Sequence, residues 1–403
     1  MKKLYLDNTS GTRLDPRVLE SMLPYFSEKY GNPQSLHDWG AEALEAITSA
    51  REKVAKLIRA LPEEIFFTAS GSESNNFAIK GLALANAMPA GRQEKKGKHI
   101  PVLKIEHVSV LHSAKSLEKL GFKVTEVPVD KDGLINLEEL SKAITNETIL
   151  IAAQQASNEI GVIQPIGEIG KLAAERNILF HCDGVQTVGT IPVEVQALTV
   201  STMSLAASQF YGPKGVAALY IKKGTRILPF IDGGIQEEGR RAGLENVPGI
   251  VGMGRAAELA QEEMAERSQK LIKLRDRLLA ELPKKIPHSF VTGHRTKRLP
   301  GHASFVIKFI EGESMMMLLN LMGIAVISGS ACTSRILKAS HVLLALGLDP
   351  AIVHGSLVFG LGADHQDADI DYILEKLPPV VERLRSMSPL WKKSLDSARD
   401  KEV

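Results

Sequence analysis

The chain has 403 residues, 49 Lys and Arg against 47 Asp and Glu, and two cysteines. The length suits two domains, or one large domain with an appendage. A net charge of +2 without long like-charged blocks argues against nucleic-acid binding and against a polybasic membrane protein. Two thiols are too few for a disulfide framework, and too few for a zinc or iron–sulfur site completed by this chain alone. The start, Met1 to Asn8, reaches an acid before any apolar region of signal length, and no stretch has the roughly 18 apolar residues of a membrane span. These features predict a soluble cytoplasmic protein.

Apolar segments of strand length alternate with helical patterns over the first 220 residues or so. Ile65-Phe66-Phe67-Thr68 reads as a buried strand, Ser70 to Asn76 as a turn, and a helical pattern follows. Further strands fit 100–105, 122–128, 148–154, 178–182, 199–205 and 216–221. Val110, Ala114 and Leu117 give one intervening helix its period, and Gly121 its stop. Repeated strand–helix–strand units predict an α/β fold with a largely parallel sheet covered on both faces. The charged run Arg92 to Lys98 reads as a solvated connection. A long helical pattern from Asn246 to Leu282 looks like a spar to a smaller domain. Beyond it, Ser304–Ile307 and Ala325–Ser328 read as strands flanking a Met-rich helix, Ser314 to Met322. A final amphipathic helix spans Asp367 to Met387.

Four features fall where parallel-sheet enzymes place their sites, at carboxyl ends of strands and amino ends of helices. Ser70-Gly71-Ser72-Glu73 is a small-residue turn suited to a phosphate, or simply a strand–helix connection. Phe180-His181-Cys182-Asp183-Gly184-Val185-Gln186 ends an apolar strand on an acid that suits a protonated ring nitrogen, although an N-cap explains Asp183 as simply. Cys182 points away from Asp183 on that strand and reads as a core thiol. Glu106-His107 closes another strand, where a histidine is more often structural than catalytic. Ser328 to Ser334 is a small-residue loop whose Cys332 is the better candidate for a reactive thiol. Asp364, His365, Asp367, Asp369 and Asp371 resemble metal ligands, but helix-start acids explain them through the dipole.

Together these residues resemble the cysteine desulfurases of the class V aminotransferase family, fold type I pyridoxal-phosphate (PLP) proteins. The likeness covers nearly the whole chain. It includes Leu6-Asp7-Asn8, Tyr30 to His37, Glu73-Ser74-Asn75-Asn76, Asn158 to Pro165, Phe210-Tyr211-Gly212-Pro213-Lys214-Gly215, Glu245-Asn246-Val247-Pro248, the Cys332 loop and Ser388-Pro389-Leu390. The resemblance implies a homodimer with a large PLP-type domain, 14–255, and a small α/β domain, 1–13 with 256–403, that carries Cys332. It implies that His107 stacks on the PLP ring and that Asp183 partners the pyridine nitrogen. Asn158 and Gln186 would contact the ring oxygen, and Gly71 and Ser72 would lie beneath the phosphate.

Gln209 stands where the resemblance places the Schiff-base lysine, and Ser208 where it places the preceding histidine. An amide nitrogen cannot form a Schiff base, because its lone pair is delocalised into the carbonyl. Ala206 and Leu244 replace two phosphate-binding hydroxyls, and Val358 the arginine that grips the substrate carboxylate. Lys214 could in principle substitute, but it matches a lysine that active members also carry beside the catalytic one, which argues against rescue. The departures touch separate jobs in one reaction. They lead to an expectation of a PLP-independent role in iron–sulfur cluster assembly. Cys332 would be one ligand of a 2Fe-2S cluster completed by a scaffold protein, or a sulfur acceptor. A working PLP-dependent desulfurase, making alanine and a persulfide from cysteine, is one alternative. A non-catalytic structural or regulatory subunit paired with an active paralogue is the other.

Overall fold

The computed structural model describes residues 2–87, 97–329, 339–389 and 391. Cys332 and residues 92–96 of the charged run lie outside the described residues. In chain order the strands are β1 (Leu4–Tyr5), β2 (Ile65–Thr68), β3 (His99–Leu103), β4 (Lys123–Val127), β5 (Leu150–Gln154), β6 (Leu179–Asp183), β7 (Thr202–Ala206) and β8 (Ala217–Ile221). They continue with β9 (Ser289–Val291), β10 (His302–Ile307), β11 (Ile324–Ala325) and β12 (Ser356–Gly360).

Seven strands form one sheet in the order β2-β8-β7-β6-β5-β3-β4. From β4 to β7 every neighbouring pair is parallel, whereas β8 runs antiparallel to both β7 and β2. The largely parallel α/β sheet expected from the alternating pattern is therefore present. Every residue of β3, β5, β7 and β8 is buried, as helices on both faces require.

The spar is a 39-residue helix, Val247–Lys285, about 58 Å long at ~1.5 Å per residue. Asn246 caps it, accepting the Gly249 N–H at 3.1 Å. Its first half, through Ala260, packs with the helix Asp38–Leu57 and the large sheet. From Leu271 onward it packs in a second apolar cluster with Leu4, Leu6, Phe305, Phe359, Ile370 and Leu377. There β10 lies between β9 and β12 in an antiparallel three-stranded sheet, and β1 pairs in parallel with β11.

Three expectations need correction. The stretch Ser70 to Asn76 is not a turn, because the helix Gly71–Ala87 already begins at Gly71. Ser70 Oγ accepts the Glu73 N–H at 3.1 Å while Glu73 Oε2 accepts the Ala69 N–H at 2.9 Å, a reciprocal cap built on Ser-x-x-Glu. The third strand stops at Leu103, so Ile105 to His107 belong to the following turn. The stretch Ala325 to Ser328 is not one strand: β11 ends at Ala325, and Ile327 instead bridges Val358 antiparallel.

Candidate functional site

Parallel registers align the carboxyl ends of the central strands, pairing Gln154 of β5 with Asp183 and Asp183 with Ser204 of β7. Asp183 is buried there and accepts the Val185 N–H on Oδ1 at 3.0 Å and the Asn75 Nδ2 on Oδ2 at 2.7 Å. A carboxylate only accepts, so the Asn75 amide must turn its NH2 toward it. Its oxygen then faces His181 Nε2 at 3.0 Å, which makes Nε2 the protonated nitrogen and leaves Nδ1 to accept from Thr202 Oγ1 at 2.9 Å. Burial drives the His181 pKa down to about 3, so the ring is neutral and this order of donors is fixed.

The same Asn75 Nδ2 donates to Ser109 Oγ at 2.9 Å, and Ser109 lies 2.7 Å from His107 Nδ1. His107 is the N-cap of the helix Val108–Ser116 and stays half-buried beside the Asp183 carboxylate network. One asparagine thus ties His107 to Asp183. Gly71 packs on the same region, since a Cβ there would lie 2.6 Å from Val185 Cγ2. Ser72 is exposed in the first turn of the helix Gly71–Ala87.

Gln186 and Gln209 converge elsewhere. Their amide nitrogens both donate to the Thr9 carbonyl, at 3.0 and 3.3 Å, on the N-terminal segment that crosses the site. Ser208 holds that segment through its own carbonyl, which accepts the Thr12 N–H at 2.7 Å and Thr12 Oγ1 at 3.0 Å. Asn158 joins neither group by a hydrogen bond from its side chain. Its carbonyl accepts from His302 Nε2 at 2.8 Å. Lys214 is exposed and lines a separate cavity of about 460 Å³ with Tyr5, Arg13 and Asp364.

Cys182 is fully buried, and burial raises its thiol pKa well above the usual value, with the Asp183 and Glu106 charges adding to the rise. It is a core residue. The acids near the last helix are engaged with cations: Asp369 with Lys2 at 2.5 Å, and Asp367 and Asp371 with Arg277. Among the described residues no group of three His, Cys, Asp or Glu is arranged to hold a metal.

Sequence reasoning gave no role to Asn75, His181, Glu106 or Glu159. Glu106 is wholly buried. Its Oε1 accepts the Gln154 N–H at 2.6 Å, and its Oε2 has no partner among the described residues. Burial, reinforced by the Asp183 charge, raises its pKa well above the carboxylate range. Nothing in the residue order marks it, because the cause is burial against Gln154 at the end of β5, a segment distant in sequence.

Glu159 lies against both described ends of the Cys332 segment. It accepts a hydrogen bond from Ser340 Oγ, and a Cβ on Gly329 would come within 2.9 Å of its Oε2. Burial pushes its pKa up to about 7, against the opposing pull of Ser340. A raised acid pKa means that the folded chain keeps a proton the unfolded chain releases near 4.5. Its contribution to stability is therefore complete below about pH 4.5 and lost as pH rises through about 7. His181 and His302, depressed by burial, act in the opposite sense at lower pH. Glu159→Gln isolates the carboxyl: relative to the parent, its urea midpoint should rise between about pH 5 and about pH 8. A constant difference across that range would show that Glu159 does not titrate there.

The profile of the class-V aminotransferases matches residues 4–373, and the chain belongs to this family. It is similar to proteins named cysteine desulfurase IscS. One from Clostridium botulinum (strain Hall) is 47% identical over 402 residues, covering 99% of this chain and all of that one. Another from Methanosarcina thermophila is 48% identical, covering 97% and 95% of the two chains. Among solved structures, a NifS-like protein superposes with a TM-score of 0.87 at 39% identity, covering 95% of this chain and all of the other. The fold is thus the fold type I PLP-dependent transferase fold.

The family implies PLP, which would supply an electron sink for a substrate carbon. The ring side of the site suits a basic heterocycle, since Asp183 offers a buried, oriented carboxylate and half-buried His107 stands in the same network. Gln209 offers no amine for a covalent link, only a carboxamide that donates to the Thr9 carbonyl.

Proposed function

We propose that this chain is a cysteine-desulfurase-like protein of iron–sulfur cluster assembly that lacks desulfurase activity. Cys332 is either one ligand of a 2Fe-2S cluster shared with a scaffold protein or the acceptor of sulfur from another source. The observation that carries this reading is Gln209, a carboxamide hydrogen-bonded to the Thr9 carbonyl at the position assigned to the Schiff-base lysine. Val358 supports it: it is 2% exposed and has no charge with which to hold a substrate carboxylate. The remaining residues assigned to the cofactor, Gly71 and Ser72 at the phosphate and His107, Asn158, Asp183 and Gln186 at the ring, would hold PLP noncovalently at most.

In this reading the protein is a cytoplasmic homodimer of chains divided into a large domain, 14–255, and a small domain, 1–13 with 256–403. Exposed Leu19, Leu23, Phe26, Tyr30, Leu36 and Trp39 form apolar surface of the kind a partner chain covers. No helix among the described residues is long and apolar enough to cross a membrane.

A second reading, an active PLP-dependent desulfurase, is favoured by the full-length likeness to proteins named cysteine desulfurase. The visible spectrum of the protein with and without PLP separates the two, followed by borohydride and peptide mapping. The first reading expects no borohydride-fixed PLP and no alanine from cysteine. A fixed adduct on Lys214, with alanine and sulfide produced, would establish the second.

A further inference from the structure

The Cys332 segment runs from Gly329 to Ser340, and both of these flanks arrive at the Glu159 side chain. Ser340 Oγ donates to Glu159 Oε2. The same hydroxyl oxygen accepts the Leu343 N–H at 3.2 Å and so caps the helix His341–Ala345. Gly329 approaches Glu159 more closely than a side chain would permit, since an added Cβ would lie 2.9 Å from Oε2. Its backbone does not demand glycine, because its φ is not left-handed. The next neighbours of that Cβ, Ser356 Oγ at 3.5 Å and Leu343 Cδ1 at 3.6 Å, are at ordinary contact distance. The missing side chain at 329 is therefore space left for the Glu159 carboxyl group.

Glu159 is itself a fixed post. Ser157 Oγ accepts the Glu159 N–H at 3.2 Å. On either side, the Asn158 carbonyl accepts from His302 Nε2 at 2.8 Å and the Ile160 carbonyl from Arg298 Nη2 at 3.0 Å. The Leu299 N–H adds a bond to the Gly161 carbonyl at 2.9 Å. Arg298 and His302 are buried, so the backbone that carries Glu159 is held by groups shielded from water. Each flank of the segment also has a tie of its own. The Gly329 N–H reaches Ser356 Oγ at 3.0 Å, and His341 Nε2 donates to the Glu106 carbonyl at 2.9 Å. Glu159 meets both flanks. Three residues of chain span at most about 11 Å, so a shift of Gly329 is felt at Cys332 whatever path the chain takes between them.

We infer that Glu159 is a positioning residue for Cys332: its carboxyl group joins Gly329 to Ser340 at the base of the segment and so sets where the thiol is presented. This rests on the reading of Cys332 as the working thiol. Glu159 acts through the two flanks, by contact and not by moving a proton.

Alkylation of the intact protein by iodoacetamide reads the thiol directly, because Cys182 is fully buried and Cys332 is the other cysteine. Glu159→Ala should be alkylated roughly three- to tenfold faster, the scale of one hydrogen bond lost from a flank. Deuterium exchange at the amides of 340–345 should quicken by a similar factor. Glu159→Gln keeps an oxygen that accepts from the Ser340 hydroxyl, so its rate should stay within about twofold of the parent's. Gly329→Ala drives its methyl against Oε2 and should accelerate alkylation by itself, yet add little to Glu159→Ala, where the space is free. It keeps the test decisive should Glu159→Ala be unstable. Alkylation of Glu159→Ala or of Gly329→Ala at the parent's rate would overturn the proposal. So would Glu159→Gln as fast as Glu159→Ala, which would make charge rather than contact responsible, and so would independent effects of the two alanine substitutions. The assay needs neither iron nor a scaffold, so failure of cluster assembly would defeat the proposed function and leave this result standing.

Discussion

Cys332→Ser is expected to reduce cluster assembly on a scaffold protein by roughly 100-fold or more, beyond the ~10–100-fold that loss of a metal site's outer-shell partner costs. The argument starts from arithmetic: the chain has two cysteines. Cys182 is fully exhausted as a candidate, since it is 0% exposed and burial holds it in the thiol form. Any sulfur or iron chemistry of this chain at a thiol must then run through Cys332. A thiolate is required both to ligate iron and to take up sulfur, and a serine hydroxyl does neither at neutral pH. Cys182→Ala provides the control. It should leave assembly unchanged, while the lost sulfur contact lowers stability modestly. Reconstitution followed by visible absorption and iron and sulfide analysis checks both. Assembly by Cys332→Ser equal to that of the parent would end the proposed role.

Gln209→Lys is expected to give the protein a borohydride-reducible covalent bond to added PLP, located at residue 209 by peptide mapping, where the parent gives none. A lysine amine supplies the lone pair that the carboxamide lacks. Asp183, already oriented by Asn75 and the Val185 N–H, supplies the ring partner. Cysteine turnover should nevertheless remain low. Val358 offers the substrate carboxylate no cation, and a missing charge-assisted pair costs about 1.5–3 kcal/mol, or roughly 10–150-fold. On the proposed reading, Ala206 and Leu244 also lack the hydroxyls that would anchor the phosphate. Turnover in the single variant comparable to that of active relatives would show that those other substitutions are immaterial. The spectrum and the alanine assay report the two halves of this prediction separately.

Much of the fold was legible because its strongest signals are local. The strand Ile65–Thr68 appears as expected, and the long helix differs from the expected one by a residue at its start and three at its end. Apolar period and capping residues are properties of a few consecutive positions. Small polar residues from Ser70 to Asn76 suggest a turn, yet the helix begins at Gly71. Ser70 and Glu73 are in fact its reciprocal cap, a signal present in the residues and outweighed by composition. β12 went unread, although five consecutive residues there are buried, because a short apolar run has no distinguishing period.

The candidate site divides in the same way. Residue identity alone set which reactions are chemically open: a carboxamide at 209 cannot form an imine, a valine at 358 cannot pair a carboxylate, and one thiol outside the core strands limits the chain to a single sulfur ligand. Those conclusions need no coordinates because they concern functional groups. Only the tertiary structure decided how the groups engage. It joined His107, Asp183 and His181 through one asparagine, turned Gln186 and Gln209 onto the same Thr9 carbonyl, and placed Glu106 and Glu159 deep enough for burial to raise their pKa values. Desolvation and hydrogen-bond direction depend on which distant segments fold over a residue, and that is set by packing rather than by the order of its neighbours.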